Sequence, residues 1–208
     1  MQKSFAAAFF ILTAFSVSSA FQIPTPHTSP DDLVDVRSIN RSIALDIRYA
    51  TKNNFTHHKL YPVARCMLRR VVAESLSAVQ KELQRRGLGL KVYDGYRPLS
   101  IQKKLWRAVP DDRYVANPKK GSRHNRGAAV DLTIVDSRGK ELAMPTPFDD
   151  FTVRAHTDYR NLPPAVLKNR ALLEQVMVRH GFLTMRTEWW HFDFQHWGKF
   201  HILDVPLE

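Results

Sequence analysis

The sequence contains a single cysteine, Cys66, among its 208 residues. A disulfide within the chain needs two cysteines, so the fold cannot depend on one. With 44% hydrophobic and 25% charged residues, a chain of this length can bury a core without disulfides, and a single domain is expected. Cys66 lies in the largely apolar segment 63–68, which favours a buried apolar role over metal binding or nucleophilic catalysis.

Long apolar runs are also scarce. The run from Phe5 to Phe15 has about 11 residues and is too short to span a bilayer as a helix. The small residues that follow it are typical of a signal-peptidase site, so residues 1–20 are predicted to be a cleaved secretory signal. No cysteine follows that site closely enough to be lipidated. We therefore expect a periplasmic or secreted protein without stable membrane insertion, with a proline-containing linker at 21–30 and one domain at 31–208.

Acidic residues are outnumbered, 20 against 31 basic ones, which gives a net charge of +11. Removing the predicted signal with its one lysine leaves 11 − 1 = +10. The basic residues are scattered and do not form a stripe interleaved with aromatic residues, which disfavours nucleic acid as a partner. In an exported protein, this charge instead favours association with an anionic cell envelope.

Hydrophobic periodicity predicts both helices and strands. Helices are expected at 68–86, 100–109 and 163–180, where apolar residues recur at helical spacing. Strands are expected at 33–36, 43–47, 90–93, 129–135, 141–144, 182–185 and 188–194. This order predicts an α+β fold with a central, mainly antiparallel sheet flanked by helices.

A metal site is indicated by Asp131, which lies inside the apolar strand predicted at 129–135. A buried carboxylate is costly unless it is paired or bound to a metal. His124 precedes it by seven residues, an odd separation that would place the two on opposite faces of one strand. Gly127 permits a turn between them that can bring the imidazole back.

A second stretch near the C-terminus supplies two more candidates, Glu188 and His191. They are three residues apart, as helix neighbours are, yet the surrounding aromatic residues favour a strand, so a local twist or bulge is required. A single histidine near an apolar strand is more often structural, but two imidazoles with one carboxylate suit zinc with an open fourth position. We therefore predict one Zn²⁺ per chain, bound by His124, Asp131 and His191, with Glu188 free as a base.

These residues carry a resemblance to a known family. Ser122-x-His124-x-x-Gly127-x-Ala129-x-Asp131, followed by Glu188-x-Trp190-His191, resembles the signature of zinc D-alanyl-D-alanine dipeptidases of the vancomycin-resistance type. Segments 46–56 and 94–98 are similar to family segments in the same order, so the resemblance covers roughly 34–194. The wider superfamily, which includes D,D-carboxypeptidases and L,D-endopeptidases, shares the metal signature.

The resemblance implies hydrolysis of the D-Ala-D-Ala dipeptide by a zinc-bound water that attacks the peptide carbonyl. Glu188 is implied as general base and acid, and Arg97 as the group that stabilises the oxyanion. For Arg97, a structural salt bridge to Asp94 is the alternative. In a noncatalytic zinc-containing cell-wall-binding module Glu188 would have no role as a proton shuttle, which favours an enzyme.

The resemblance also implies substrate contacts at Ser122, Asp149, Tyr49 and Tyr61. Asp149 would pair with the free ammonium of the dipeptide, which explains exopeptidase behaviour, although the adjacent Asp150 is an open alternative. If the site instead tolerates a longer chain, the protein is a D,D-carboxypeptidase or endopeptidase acting on peptidoglycan stem peptides. Export of a dipeptidase favours salvage of turnover products over destruction of cytoplasmic precursors.

Overall fold

The computed structural model describes residues 29–208. The predicted signal at 1–20 and residues 21–28 of the predicted linker lie outside this range. Within it, the strands are β1 (Leu33–Asp35), β2 (Ala44–Leu45), β3 (Met67–Arg69), β4 (Leu88–Asp94), β5 (Ala129–Asp136), β6 (Phe182–Met185) and β7 (Glu188–Phe194). The α-helices are α1 (Val36–Ile39), α2 (Arg70–Gln84), α3 (Leu99–Ala108) and α4 (Pro164–Arg179).

Five strands form the central sheet in the order β2-β4-β5-β7-β6. β2 pairs with β4 in parallel, and every other neighbouring pair in this sheet is antiparallel. β1 and β3 form a separate antiparallel pair. Helix α2 packs against β4, and α4 packs against β5 and β6. The predicted α+β fold with a mainly antiparallel sheet and flanking helices is confirmed.

Strand β5 lies in the middle of the sheet, and seven of its eight residues are buried. Because both of its faces are covered, it has a nearly continuous apolar run without polar alternation. Asp131 is therefore introduced into the core by the strand itself and is only 3% exposed. The apolar stripe of α2 covers the neighbouring strand with Val72, Leu76, Val79 and Leu83, all fully buried.

Several boundaries differ from the predictions. The first long helix begins at Arg70 because Leu68, although in phase with its stripe, pairs with Val34 in the small sheet. The strand predicted at 43–47 is shortened to β2, since the chain turns into a 3₁₀ segment at Arg48–Ala50. The strand predicted at 141–144 is reduced to one bridge between Val135 and Glu141, and prolines at 145 and 147 cannot donate ladder hydrogen bonds beyond it.

Cys66 is completely buried, as predicted. No helix within residues 29–208 has the length and apolar character needed to cross a membrane.

Candidate active site

The turn after His124 brings its imidazole to Asp131. Residues His124–Arg126 form one 3₁₀ turn, and Gly127 ends it with a left-handed φ of 66°. A Cβ at Gly127 would lie 2.8 Å from Leu33 Cδ2 and 3.2 Å from the Arg69 backbone nitrogen. Glycine is therefore required both by the backbone angle and by the close packing of the small sheet.

The predicted irregularity around Glu188 is a bulge in β7. Thr184 pairs with Phe192, but the next residue of β6, Met185, pairs with Glu188, so three residues of β7 have no partner on β6. The extra residues bring the Glu188 carboxylate to the side of His191, with Oε2 3.9 Å from Nδ1. On the other edge of β7, His191 lies directly opposite Asp131 of β5. Strand pairing thus places a carboxylate and an imidazole side by side.

The three predicted metal ligands converge. His124 Nε2 lies 3.2 Å from His191 Nδ1 and 3.5 Å from Asp131 Oδ2, and His191 Nδ1 lies 2.9 Å from Asp131 Oδ1. All three side chains are at least 95% buried. Two ligands about 2.1 Å from a tetrahedral ion are about 3.4 Å apart, so this spacing fits a zinc ion.

The outer hydrogen bonds determine which imidazole nitrogens are available. His124 Nδ1 is 2.8 Å from the Gly95 carbonyl oxygen, and His191 Nε2 is 2.9 Å from Asp193 Oδ1. Both partners accept, so once metal binding requires neutral imidazoles, each ring keeps its proton on that outer nitrogen. The two inner nitrogens then direct lone pairs towards each other and towards the Asp131 carboxylate, an arrangement that a cation stabilises.

Gly95 is needed for the outer bond to His124. A Cβ on this residue would lie 2.6 Å from Cys66 Sγ, so only glycine lets the backbone come this close to Cys66.

Asp193 was missed in the sequence, although its position two residues after His191 on a strand places both side chains on one face. Burial lowers the pKa of His191, but Asp131 and Asp193 outweigh it and raise that pKa well above its ordinary value. Conversely, burial opposes ionisation of Asp131, but the two imidazoles hold the pKa of this carboxyl well below its usual range.

Glu188 and Arg97 line the same cleft as the three ligands. Glu188 is half-buried, and this burial, reinforced by the charge of Asp131, raises the pKa of its carboxyl against the opposing effect of His191. Arg97 donates from Nη2 and Nε to Asp94 Oδ2, at 2.7 and 3.2 Å, and from Nη1 to Gln102. The salt bridge to Asp94 considered in the sequence is therefore present. It uses one side of the guanidinium, and Arg97 also borders the cleft.

Tyr61 does not line the cleft. It is 1% exposed, and its hydroxyl donates to Asp94 Oδ1 at 2.7 Å. The Gly95 backbone N–H donates to the same oxygen, so Asp94 is fixed while it holds Arg97. Tyr61 thus supports Arg97 indirectly, in place of the substrate contact expected from the sequence.

Asp149, Tyr49 and Ser122 all line the cleft. The Tyr49 hydroxyl lies 3.3 and 3.4 Å from the two carboxylate oxygens of Asp149, a residue held at a left-handed φ of 61°. Burial, followed by the charge of Asp131, raises the pKa of Asp149 well above its ordinary value. Asp150 is not among the cleft-lining residues and accepts a hydrogen bond from the Thr152 backbone. Ser122 is buried and accepts from the His124 backbone N–H at 3.2 Å.

The cleft has a volume of about 360 Å³. Aromatic side chains line it together with the ionisable groups described above. Its aromatic residues are Tyr49, Phe55, Tyr114, Phe151 and Trp190.

The fold and the site are those of a metal-dependent hydrolase, with a candidate His-Asp-His metal site and a further carboxylate beside it. The family described as D-ala-D-ala dipeptidase matches residues 29–201. The chain belongs to this family of zinc metallopeptidases.

Two curated relatives are similar over most of their length. The D-alanyl-D-alanine dipeptidase of Escherichia coli (strain K12) is 37% identical over 172 residues, covering 83% of this chain and 89% of its own. That of Enterococcus faecalis (strain ATCC 700802 / V583) is 32% identical over 168 residues, covering 71% and 83%. A solved vancomycin resistance D,D-pentapeptidase in complex with Zn(II) has 15% identity and a TM-score of 0.43, covering 62% of this chain and 73% of its own.

Proposed function

We propose that this protein is a zinc-dependent hydrolase of the free D-Ala-D-Ala dipeptide. Two relatives with over 30% identity carry the name D-alanyl-D-alanine dipeptidase. The observation that carries the proposal is the convergence of His124, Asp131 and His191, with Glu188 Oε2 3.9 Å from His191 Nδ1. A metal-binding module without activity would not need a carboxylate of raised pKa beside its ligands.

The three ligands would hold one zinc ion through His124 Nε2, His191 Nδ1 and the Asp131 carboxylate. When bound, zinc supplies a Lewis acid that polarises a carbonyl and makes a coordinated water more acidic. The chain's contribution is to preset the donors, because Gly95 and Asp193 fix both imidazoles in the required tautomer.

Glu188 is the general base and then the general acid. Its carboxylate accepts a proton from the water as the oxygen bonds to the peptide carbonyl carbon, and it returns that proton to the departing nitrogen. The C–N bond breaks, and two molecules of D-alanine leave. The raised pKa of Glu188 suits both transfers. It makes the carboxylate a stronger proton acceptor, and it keeps the carboxyl protonated until the proton is donated to the leaving nitrogen.

Arg97 stabilises the negative charge that develops on the carbonyl oxygen. The bonds to Asp94 and Gln102 use three of its five N–H donors, and the remaining donors are available at the cleft. Since Asp94 and Gln102 already hold the guanidinium, it does not need to reorganise during the reaction.

Asp149 binds the ammonium of the dipeptide, with the Tyr49 hydroxyl beside it. The pKa of Asp149 is raised because burial, followed by the charge of Asp131, outweighs the opposing effect of Arg97, and a substrate ammonium would supply further positive charge beside this carboxylate. A peptide extended at its amino end has no such charge. This arrangement therefore favours a dipeptidase over a carboxypeptidase that acts on stem peptides.

The experiment compares zinc-loaded protein on free D-Ala-D-Ala, on its N-acetyl derivative and on a stem pentapeptide ending in D-Ala-D-Ala. We expect kcat/KM for the free dipeptide to exceed the others by roughly ten to a few hundredfold, the usual effect of leaving one buried charge unpaired. Faster cleavage of the pentapeptide would identify a D,D-carboxypeptidase, and no cleavage of any substrate would leave a binding module. Asp149→Asn should reduce the difference between the free and acetylated dipeptides.

We also propose that the enzyme acts outside the cytoplasm, in salvage of cell-wall turnover products. This rests on the signal-like residues 1–20 and on the basic composition. Cell fractionation of the full chain should find the mature protein in the periplasm or medium. Recovery of the unprocessed chain in the cytoplasm would contradict this location.

A further inference from the structure

A free dipeptide has a charge at each end, and Asp149 accounts for only one of them. The terminal carboxylate of the dipeptide calls for a cation in the same cleft. Among the described residues, three arginines line this cleft. Arg97 is held by Asp94 and Gln102, and its remaining donors are assigned to the carbonyl oxygen. Arg113 is paired with Asp111 through both Nε and Nη2 and is 76% exposed. The third arginine is Arg123, which directly precedes the metal-binding His124.

Arg123 is held in place by contacts that do not involve its two terminal nitrogens, Nη1 and Nη2. Its guanidinium carbon lies 4.7 Å from the centre of the Trp197 ring, and its Nε lies 3.4 Å from Asp193 Oδ2. Nε is buried and has no hydrogen-bond acceptor within residues 29–208, so the contact with Asp193 is electrostatic. The side chain is 41% exposed at the cleft wall. One face of the guanidinium is thus anchored, and its two terminal NH₂ groups are available to a ligand.

The position of Arg123 relative to the metal ligands suits the carboxyl end of a dipeptide. Asp193 contacts His191 through Oδ1 and Arg123 through Oδ2, so one carboxylate separates the guanidinium from a metal-binding imidazole. In a dipeptide, the terminal carboxylate belongs to the residue just after the scissile carbonyl, and consecutive Cα atoms are about 3.8 Å apart. A substrate with its carbonyl at the metal therefore extends its carboxylate along the cleft wall, which Arg123 lines beside the three ligands.

We propose that Arg123 binds the C-terminal carboxylate of the dipeptide, an inference that rests on the proposed function. The planar guanidinium forms two parallel N–H···O bonds with a carboxylate, which a lysine cannot reproduce. Trp197 and Asp193 hold the arginine in position before the substrate arrives. The cleft then recognises a zwitterion by a carboxylate at one end and a guanidinium at the other.

A purely structural role for Arg123 makes a different prediction. If this residue acts only by holding Asp193 against His191, removing it impairs the metal centre for every substrate alike. A substrate without a terminal charge separates the two roles, because only a direct contact depends on that charge. The C-terminal amide, D-Ala-D-Ala-NH₂, keeps the same scissile bond and ammonium.

The test measures kcat/KM for both substrates with zinc-loaded wild type and Arg123→Gln. In the wild type, we expect the acid to be preferred over the amide by ten to about a hundredfold, the scale of a charge-assisted hydrogen-bonded pair. In Arg123→Gln, the acid should lose most of that factor, while the amide changes by less than about threefold. The control is Arg107→Gln on the exposed face of α3, which removes the same charge away from the cleft.

Binding gives a second readout that does not need turnover. In a zinc-loaded Glu188→Ala background, calorimetry should show that Arg123→Gln weakens binding of the acid and leaves binding of the amide nearly unchanged. Equal losses for both substrates, or no preference for the acid when Arg123 is intact, would overturn this assignment. Either result can occur while the wild type still cleaves D-Ala-D-Ala, so it is distinguishable from failure of the proposed function.

Discussion

Asp193 offers the sharpest perturbation of the metal centre that leaves all three ligands in place. It accepts the Nε2 proton of His191 at 2.9 Å and is itself 7% exposed. The corresponding partner of His124 is the backbone carbonyl of Gly95, which no substitution removes. Asp193→Asn preserves the shape and one acceptor oxygen, but it removes the negative charge that makes the imidazole a stronger ligand.

The expected magnitude follows from this loss of charge. Outer partners of a metal-binding histidine typically contribute 10- to 100-fold in metal affinity, or about 1.4–2.7 kcal/mol. We expect Asp193→Asn to fall in this range and Asp193→Ala to lie at its upper end, because alanine leaves the buried N–H without an acceptor. Arg123 contacts Asp193 and not a metal ligand, so we expect substitution of Arg123 to change zinc affinity less than substitution of Asp193 does.

The assay is a competition titration of zinc against a chromophoric chelator at fixed pH, with metal-free thermal unfolding measured in parallel. Asp150→Asn is the matched control, since Asp150 is adjacent to the cleft-lining Asp149 and, within residues 29–208, its carboxylate bonds only to the backbone of Thr152. Unchanged zinc affinity in both Asp193 variants would refute the reasoning. A loss of folded protein in the metal-free state would show that Asp193 acts on the fold instead.

Three further outcomes are expected. Burial raises the pKa of Asp149, so the stability that its protonated form contributes is present below the unfolded pKa and is lost as pH rises through the folded pKa. Without metal, Asp149→Asn should therefore become more stable than the wild type towards neutral pH in thermal unfolding. An equal loss of stability in the variant at all pH values would contradict this. Gly127→Ala should lower the unfolding free energy by more than 1 kcal/mol and weaken zinc binding, because the backbone angle and the contact with Leu33 both oppose a Cβ. Arg97→Lys should reduce kcat far more than it weakens dipeptide binding, and the reverse pattern in steady-state kinetics would make Arg97 a substrate anchor.

The sequence indicated the three candidate metal ligands because each was anomalous in its local context. A carboxylate inside the apolar β5 and a histidine inside the aromatic β7 are costly unless they pair or bind a common metal ion, and this holds whatever the strand order. Gly127 signalled the turn that His124 requires. The bulge at Glu188 was also predictable, since helical spacing on a strand cannot be satisfied without an irregularity.

Other features of the site depend on contacts between residues far apart in the chain and could not be predicted from the sequence. The tautomer of His124 is fixed by the carbonyl of Gly95, and a backbone acceptor has no sequence signature. Tyr61 faces Asp94 because of a loop path that periodicity does not encode, so its expected substrate contact was misplaced. Asp193 had a usable signal, its period-two spacing from His191, but the spacing indicates a role only once His191 is known to bind metal on that face.

The most direct test of the account compares zinc-loaded wild type and Glu188→Ala on free D-Ala-D-Ala, with zinc content measured in both. Glu188 lies beside the ligands without being one of them, so we predict full zinc occupancy in the variant and a fall in kcat of about 100-fold or more. His191→Ala, examined alongside, should lose zinc and activity together. Turnover by Glu188→Ala at the wild-type rate, or full zinc occupancy in His191→Ala, would contradict the assignment of this cleft as the catalytic centre.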